Sequence, residues 1–358
     1  MRILQVIPTL GSGGAEHFVC ELSNELCRLG HAVDVLVLFQ VPADNPIWKA
    51  LDEGIGVYTL NKKKGFQAGV LLQLCRFVKK GAYDVVHGHV GAITYMTAAC
   101  FLYKKARYMA TIHSDAGFEA ENRVGKWTRW LMFRRRACIP VTISEESERS
   151  FEAFYGFKGV TILNGVSEYV KKKEVALRDN DDQLVFLHPA SCQPVKNQAL
   201  LLSAFNRLLD IGYDAKLVWV GNIETYPLLF EELKPLMKRN VSVLGVVNHV
   251  RDYMAASDAT CLSSKLEGMP MTIIESFSVG VPVLCTPAGG CINLVNHGVN
   301  GLLSMDHSEE AYFRMLESFA QLTKEERKSY SAHALDAFQA YKIGSCAQHY
   351  LSLYSNEH

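Results

Sequence analysis

EGMPMTIIESFSVGVPVLCTPAGG, residues 267–290, sets two carboxylates, Glu267 and Glu275, eight positions apart around the start of a short helix. Glu267 and Gly268 read as loop, Pro270 suits a first helical turn, and Thr272, Ile273, Ile274 and Phe277 continue as a mostly apolar helix. The helix start formed by Gly268, Met269, Pro270, Met271 and Thr272 then offers unpaired backbone donors and the positive end of the helix dipole, which together favour an anion. Glu275, one turn in, can accept two hydrogen bonds from a vicinal diol such as a ribose. A sugar joined to a nucleoside diphosphate meets both demands. Taken singly, each glutamate reads equally well as a solvated helix residue. After the helix, Gly280, Val281 and Pro282 turn the chain into a buried strand, 283–286, and Gly289 with Gly290 predict a close backbone approach to a ligand.

The rest of the chain repeats this strand–turn–helix grammar. Strands are expected at 3–7, 32–39, 57–60, 85–87, 109–112 and 141–143, and again at 184–187, 217–220, 241–244 and 259–262, with helices such as 15–29 and 197–209 between them. Continuous apolar strands alternating with helices imply doubly wound parallel sheets. With 358 residues, two such domains of roughly 150 to 200 residues are expected. Residues 168–183 are rich in Lys and Asp and poor in apolar side chains, the composition of a linker. The expected division is therefore 1–167, a linker at 168–183, and 184–341, with a last helix at about 342–358.

Composition excludes several classes. The chain is 49% hydrophobic and 21% charged, with no net charge, so it is globular and offers no overall basic surface for nucleic acid. Its ten cysteines form no C-x-x-C pair and no zinc-type cluster with histidine, as expected of reduced thiols in a cytoplasmic protein. The apolar run at 3–10 is too short and too interrupted for a signal peptide, and no run of about eighteen apolar residues could span a membrane. No Asp-x-Asp pair falls in a loop suited to a metal, so neither a metal nor a separate cofactor is expected.

Ligands of open α/β sheets bind beyond the carboxyl ends of the strands. Gly13 and Gly14, in the turn Gly11-Ser12-Gly13-Gly14, lie at such an end and bring backbone donors toward a phosphate or sugar, or form only a tight turn. A dinucleotide fingerprint is disfavoured, because Glu16 occupies its third glycine position and Asp34 lies inside the second strand. His113 follows one strand end, and His87 with His89 another, where they line a pocket or only cap the strand.

The pattern Glu-x7-Glu enclosing Gly-x-Pro, together with Gly13-Gly14-Ala15-Glu16, Leu29-Gly30-His31, Ile143-Ser144 and Ile162-Leu163-Asn164-Gly165-Val166 in that order, resembles the retaining glycosyltransferases of family four. The resemblance covers nearly the whole chain. It implies the GT-B fold, two Rossmann-like domains facing a cleft, with the final helix returning to the first domain. It also implies transfer of a sugar from a nucleotide donor, UDP-linked by expectation, with retention and without metal. On this likeness Glu267 and His113 lie by the donor sugar, and Lys196 is the phosphate-binding lysine. The Gly-Arg pair that normally precedes that lysine reads Ala190-Ser191 here, so Ser191 offers one hydroxyl where an arginine would grip a diphosphate with two hydrogen bonds. A non-hydrolysing nucleotide-sugar epimerase and a silent sugar-nucleotide-binding protein are the rival readings.

The acceptor is read from charge. Residues 1–165 carry a net +5 and the remainder −5. Six basic residues between Arg123 and Arg136 are interleaved with Trp127, Trp130, Leu131 and Phe133. This pattern suits either a helix docking on an anionic membrane or a packed helix with a wet basic face. A glycan or lipid-linked acceptor, met at the inner face of the cell membrane, is the expectation.

Overall fold

The computed structural model describes residues 1–11, 13–42, 45–120, 123–238 and 240–355; Ser12 of the glycine turn and the end of the expected last helix, 356–358, lie outside them. The chain forms two compact units, Met1–Ser167 with Tyr341–His358, and Glu168–Ala340.

The first unit holds β1 (Arg2–Ile7), β2 (Ala32–Val37), β3 (Gly56–Thr59), β4 (Val85–His89), β5 (Arg107–Ile112), β6 (Ile139–Thr142) and β7 (Val160–Thr161). They form a parallel sheet in the order β3-β2-β1-β4-β5-β6-β7. Both faces are covered, so alternate residues of one strand enter different cores: Leu4 and Val6 pack with Leu36, Val86 and Ile112, while Ile3 and Ile7 pack with Val35, Val85 and Met109. Such double burial produces the continuous apolar runs seen in the sequence.

The helix Ile343–Ser355 closes the second of these cores with Ile343, Cys346, Ala347, Tyr350, Leu353 and Tyr354, spaced to share one face. Each large apolar side chain so buried contributes about 1.5–3 kcal/mol. Gly165 lets this helix approach, since a Cβ there would lie 2.7 Å from Cα of Ile343.

The second unit holds β8 (Leu184–Pro189), β9 (Ala215–Val220), β10 (Val241–Gly245), β11 (Ala259–Leu262), β12 (Val283–Cys285) and β13 (Gly301–Leu303), parallel and ordered β10-β9-β8-β11-β12-β13. The order reverses between β8 and β11, as it does between β1 and β4 in the first unit, and ligands of this architecture bind at such reversals.

Residues 168–183, read from composition as a linker, are laid on the second unit. The Asp252 carboxylate accepts hydrogen bonds from the backbone N–H of Lys172 and Lys173 and from the Tyr169 hydroxyl, and Arg178 pairs with Asp258 at 2.6 Å. Leu177 is buried against Val185 and Val218.

Candidate active site

The two ends of the reversal in the second unit carry Lys196 and Glu267. After β8 the chain makes a tight turn, Pro194–Lys196, before the helix Gln198–Asp210; after β11 it runs through Ser263 and Ser264 to Glu267 and the helix Met271–Ser278. Backbone bonds tie the two loops: Lys265 N–H donates to the Val195 carbonyl at 2.8 Å, and the Ser263 hydroxyl donates to the Lys196 carbonyl at 2.8 Å. The Lys196 ammonium then meets Oε1 of Glu267 at 2.7 Å, and the Ser264 hydroxyl donates to the same oxygen at 2.6 Å. An ammonium has three donors, so two remain without a partner among the described residues.

Gly289 and Gly290 make a close backbone approach to this loop. A Cβ on Gly289 would lie 2.0 Å from the Glu267 carbonyl oxygen and one on Gly290 1.7 Å from that of Gly268. The Gly290 N–H donates to the Glu267 carbonyl at 3.1 Å. The glycines are thus the floor on which the glutamate loop rests.

The helix after this loop starts at Met271, with Pro270 as its N-cap rather than inside its first turn. Proline supplies no capping side chain, so the N–H groups of Met271 and Thr272 have no side-chain cap, the condition for an anion site. Gly268 is exposed, Met269 and Pro270 are buried, and Thr272 and Glu275 are half-buried on the same helix. Ser191 is half-buried on the β8 side, where its carbonyl accepts from Gln198 at 2.9 Å. Beneath, His188 donates through Nδ1 to the Cys261 carbonyl, 2.8 Å away; burial first, and the charge of Lys196 after it, push its imidazole down to about 4. The ring is therefore neutral at pH 7.

In the first unit Gly13 caps the helix Gly14–Arg28, and the Glu16 carboxylate folds back over the glycine turn to accept from the Thr9 hydroxyl at 2.9 Å. His113 leaves the end of β5 half-buried, its ring 5.5 Å from that of Phe18 on the same helix. A polar chain holds it: His113 Nε2 to His89 Nδ1 at 3.0 Å, then His89 Nε2 to Oε1 of Gln5 at 2.8 Å. His87 bonds Tyr354 and Thr111, both at 2.7 Å. His87 and His89 are fully buried, so of the two readings of these strand-end histidines the structure selects the internal one. Burial lowers His87 and His113 to about 3 and holds His89 well below the usual imidazole range.

Sequence reasoning missed the residues that hold these parts. The buried Glu119 carboxylate accepts from the backbone N–H of His113 and Ser114, at 2.6 and 2.7 Å, and faces buried Arg129 at 3.9 Å. Ser264 had one local cue, its place three residues before Glu267; Glu119 had none. Among the described residues no group of three His, Cys, Asp or Glu is placed to hold a metal ion, and no helix is long and apolar enough to cross a membrane.

Residues 12–168 match Glycosyltransferase Family 4, and residues 170–335 match Glycosyl transferases group 1. The chain is 25% identical over 321 residues to an uncharacterized glycosyltransferase of Haemophilus influenzae, covering 87% of this chain and 88% of that one. It is 27% identical over 312 residues to N-acetyl-alpha-D-glucosaminyl L-malate synthase of Bacillus anthracis, covering 83% and 81%. Among solved structures, HepE of Anabaena in complex with UDP and glucose superposes with a TM-score of 0.79 at 20% identity, over 99% of each chain. Matched in succession along both of its halves, the chain is a glycosyltransferase of the GT-B fold, like those of family four.

Proposed function

We propose that the protein transfers a sugar from a nucleoside diphosphate, UDP by preference, to a glycan or lipid-linked acceptor with retention at the anomeric carbon. The observation that carries this reading is the pairing of Lys196 with Glu267 at a sheet reversal, beside an uncapped helix start. The free donors of Lys196, with the N–H groups of Met271 and Thr272 and the Ser191 hydroxyl, take the diphosphate and stabilise the charge it gains on leaving. Gly268, Met269 and Pro270 shape the loop around it. Glu275 takes the ribose. Glu267, freed in part from Lys196 when phosphate arrives, faces the sugar as it gains oxocarbenium character. His113 is assigned to a hydroxyl of the donor sugar, with His89 fixing its ring, and Gly13 and Gly14 to the substrate side of the first unit. The UDP and glucose of the HepE complex support the choice of donor. A match to two glycosyltransferase families favours transfer over the epimerase and silent-binder readings.

With cationic groups and helix donors meeting the phosphate charge, turnover should persist in excess chelator. Proton NMR of the product, formed with chelator present, tests both points. Retained anomeric configuration is expected; an inverted product, or activity recovered only on adding a divalent ion, would overturn the mechanism.

A further inference from the structure

Lys62 is a buried cation that no carboxylate meets among the described residues. It follows β3 and is only 9% exposed, yet its ammonium bonds just two carbonyl oxygens, of Lys63 at 3.0 Å and Gly65 at 2.6 Å. The third donor has no partner among the described residues. The ammonium lies 4.4 Å from the Phe39 ring centre and 5.3 Å from that of Tyr95. These ring faces favour a cation beside them but offer no acceptor for its third N–H.

The same three side chains line a cavity of about 250 Å³ at the carboxyl ends of β1 to β4, with Leu38, Phe66, Thr94 and Gly125 also in its wall. Phe66 stacks on Tyr95 at 5.7 Å and is 54% exposed, an aromatic at the mouth of an apolar pocket. Gly125 belongs to the helix Arg123–Arg134, whose outer side exposes Val124, Trp127 and Trp130 beside Arg123 and Lys126. An apolar pocket holding one buried cation, walled by a helix that is aromatic and basic outside, selects a molecule with an anionic group next to hydrocarbon.

We propose that this pocket binds the acceptor and that the acceptor is a phosphate-bearing amphiphile whose phosphate pairs with Lys62. The assignment rests on the transferase reading above and names its second substrate class. Phosphate supplies the missing acceptor for the third N–H, and the hydrocarbon lies on Phe39, Phe66 and Tyr95.

The test uses full-length protein with three probes below their micellar concentrations: dodecyl phosphate, dodecyl maltoside and glucose 1-phosphate, with UDP titrated separately. Wild type should bind dodecyl phosphate at least tenfold more tightly than either other probe. Lys62→Met should remove that preference, Lys62→Arg should restore part of it, and Phe66→Ala should weaken both dodecyl probes while leaving UDP affinity unchanged. Equal affinity of wild type for the dodecyl probes, for glucose 1-phosphate and dodecyl phosphate, or an undiminished preference in Lys62→Met, would overturn the assignment. The wild-type comparison stands even if a variant fails to fold. Loss of UDP binding by wild type would instead count against the transferase reading, separately from Lys62.

Discussion

Single side chains in this protein are held by charges and hydrogen bonds that the linear sequence reveals unevenly. Glu267, Glu275 and the helix between them were legible because a loop, a helix start and a carboxylate lie within one turn of each other. The contact of Lys196 with Glu267 spans 71 positions and depends on β8 and β11 being neighbours, so the sequence could name its members but not their meeting. Gly289 and Gly290 signalled a close approach, and the Glu267 and Gly268 carbonyls that lie against them are met only through the fold. Glu275→Ala is expected to weaken UDP binding by roughly 1.5–3 kcal/mol, the scale of a hydrogen bond to a charged group, and to abolish any preference for UDP over 2′-deoxy-UDP in calorimetric titration. Unchanged affinity would remove Glu275 from the ribose. The histidines make a second case. The folded-state values of His87 and His113 lie at about 3, below the 6.5 of an unfolded imidazole, so the unfolded chain binds more protons between these limits. Stability should therefore fall as pH drops from about 6.5 toward 3, by on the order of a few kcal/mol for each buried ring. Replacing His87 by Phe should flatten that slope in urea melts followed by circular dichroism, and an unaltered slope would place the acid sensitivity elsewhere.

Elements were easiest to read where they are buried on both sides. The inner strands are continuous apolar runs because helices cover both faces of each sheet. β7 escaped because it is two exposed residues long, and β13 because three residues give no period to count. The helix Arg123–Arg134 shows what periodicity alone misses: five of the six basic residues of its segment are exposed, but Arg129 is buried against Glu119 and braces the His113 turn. Its exposed face, Val124, Trp127 and Trp130 with Arg123, Lys126 and the following Arg134, Arg135 and Arg136, is proposed to dock on anionic lipid. Binding to liposomes should rise with anionic lipid content, fall with added salt, and drop severalfold when Arg134, Arg135 and Arg136 become Ser. Sedimentation that ignores all three would leave this helix a packed element with a wet face.

At the scale of the whole molecule, two parallel sheets repeat one design, and the candidate loops follow the carboxyl ends of their strands. Composition separated the halves by charge, basic in the first and acidic in the second, and that division suits an anionic acceptor on the basic side. Within 168–183, Arg178 and Asp179 find partners, Asp258 and Lys216, that only the fold supplies. The central claim is that the Lys196–Glu267 site accepts a nucleoside diphosphate. Calorimetric titration of UDP into wild type and Lys196→Ala tests it most directly. The account predicts saturable binding by wild type, weakened roughly tenfold or more in the variant as a charge-assisted contact is lost. Absence of binding by folded wild type, or equal affinity in the two proteins, would contradict it.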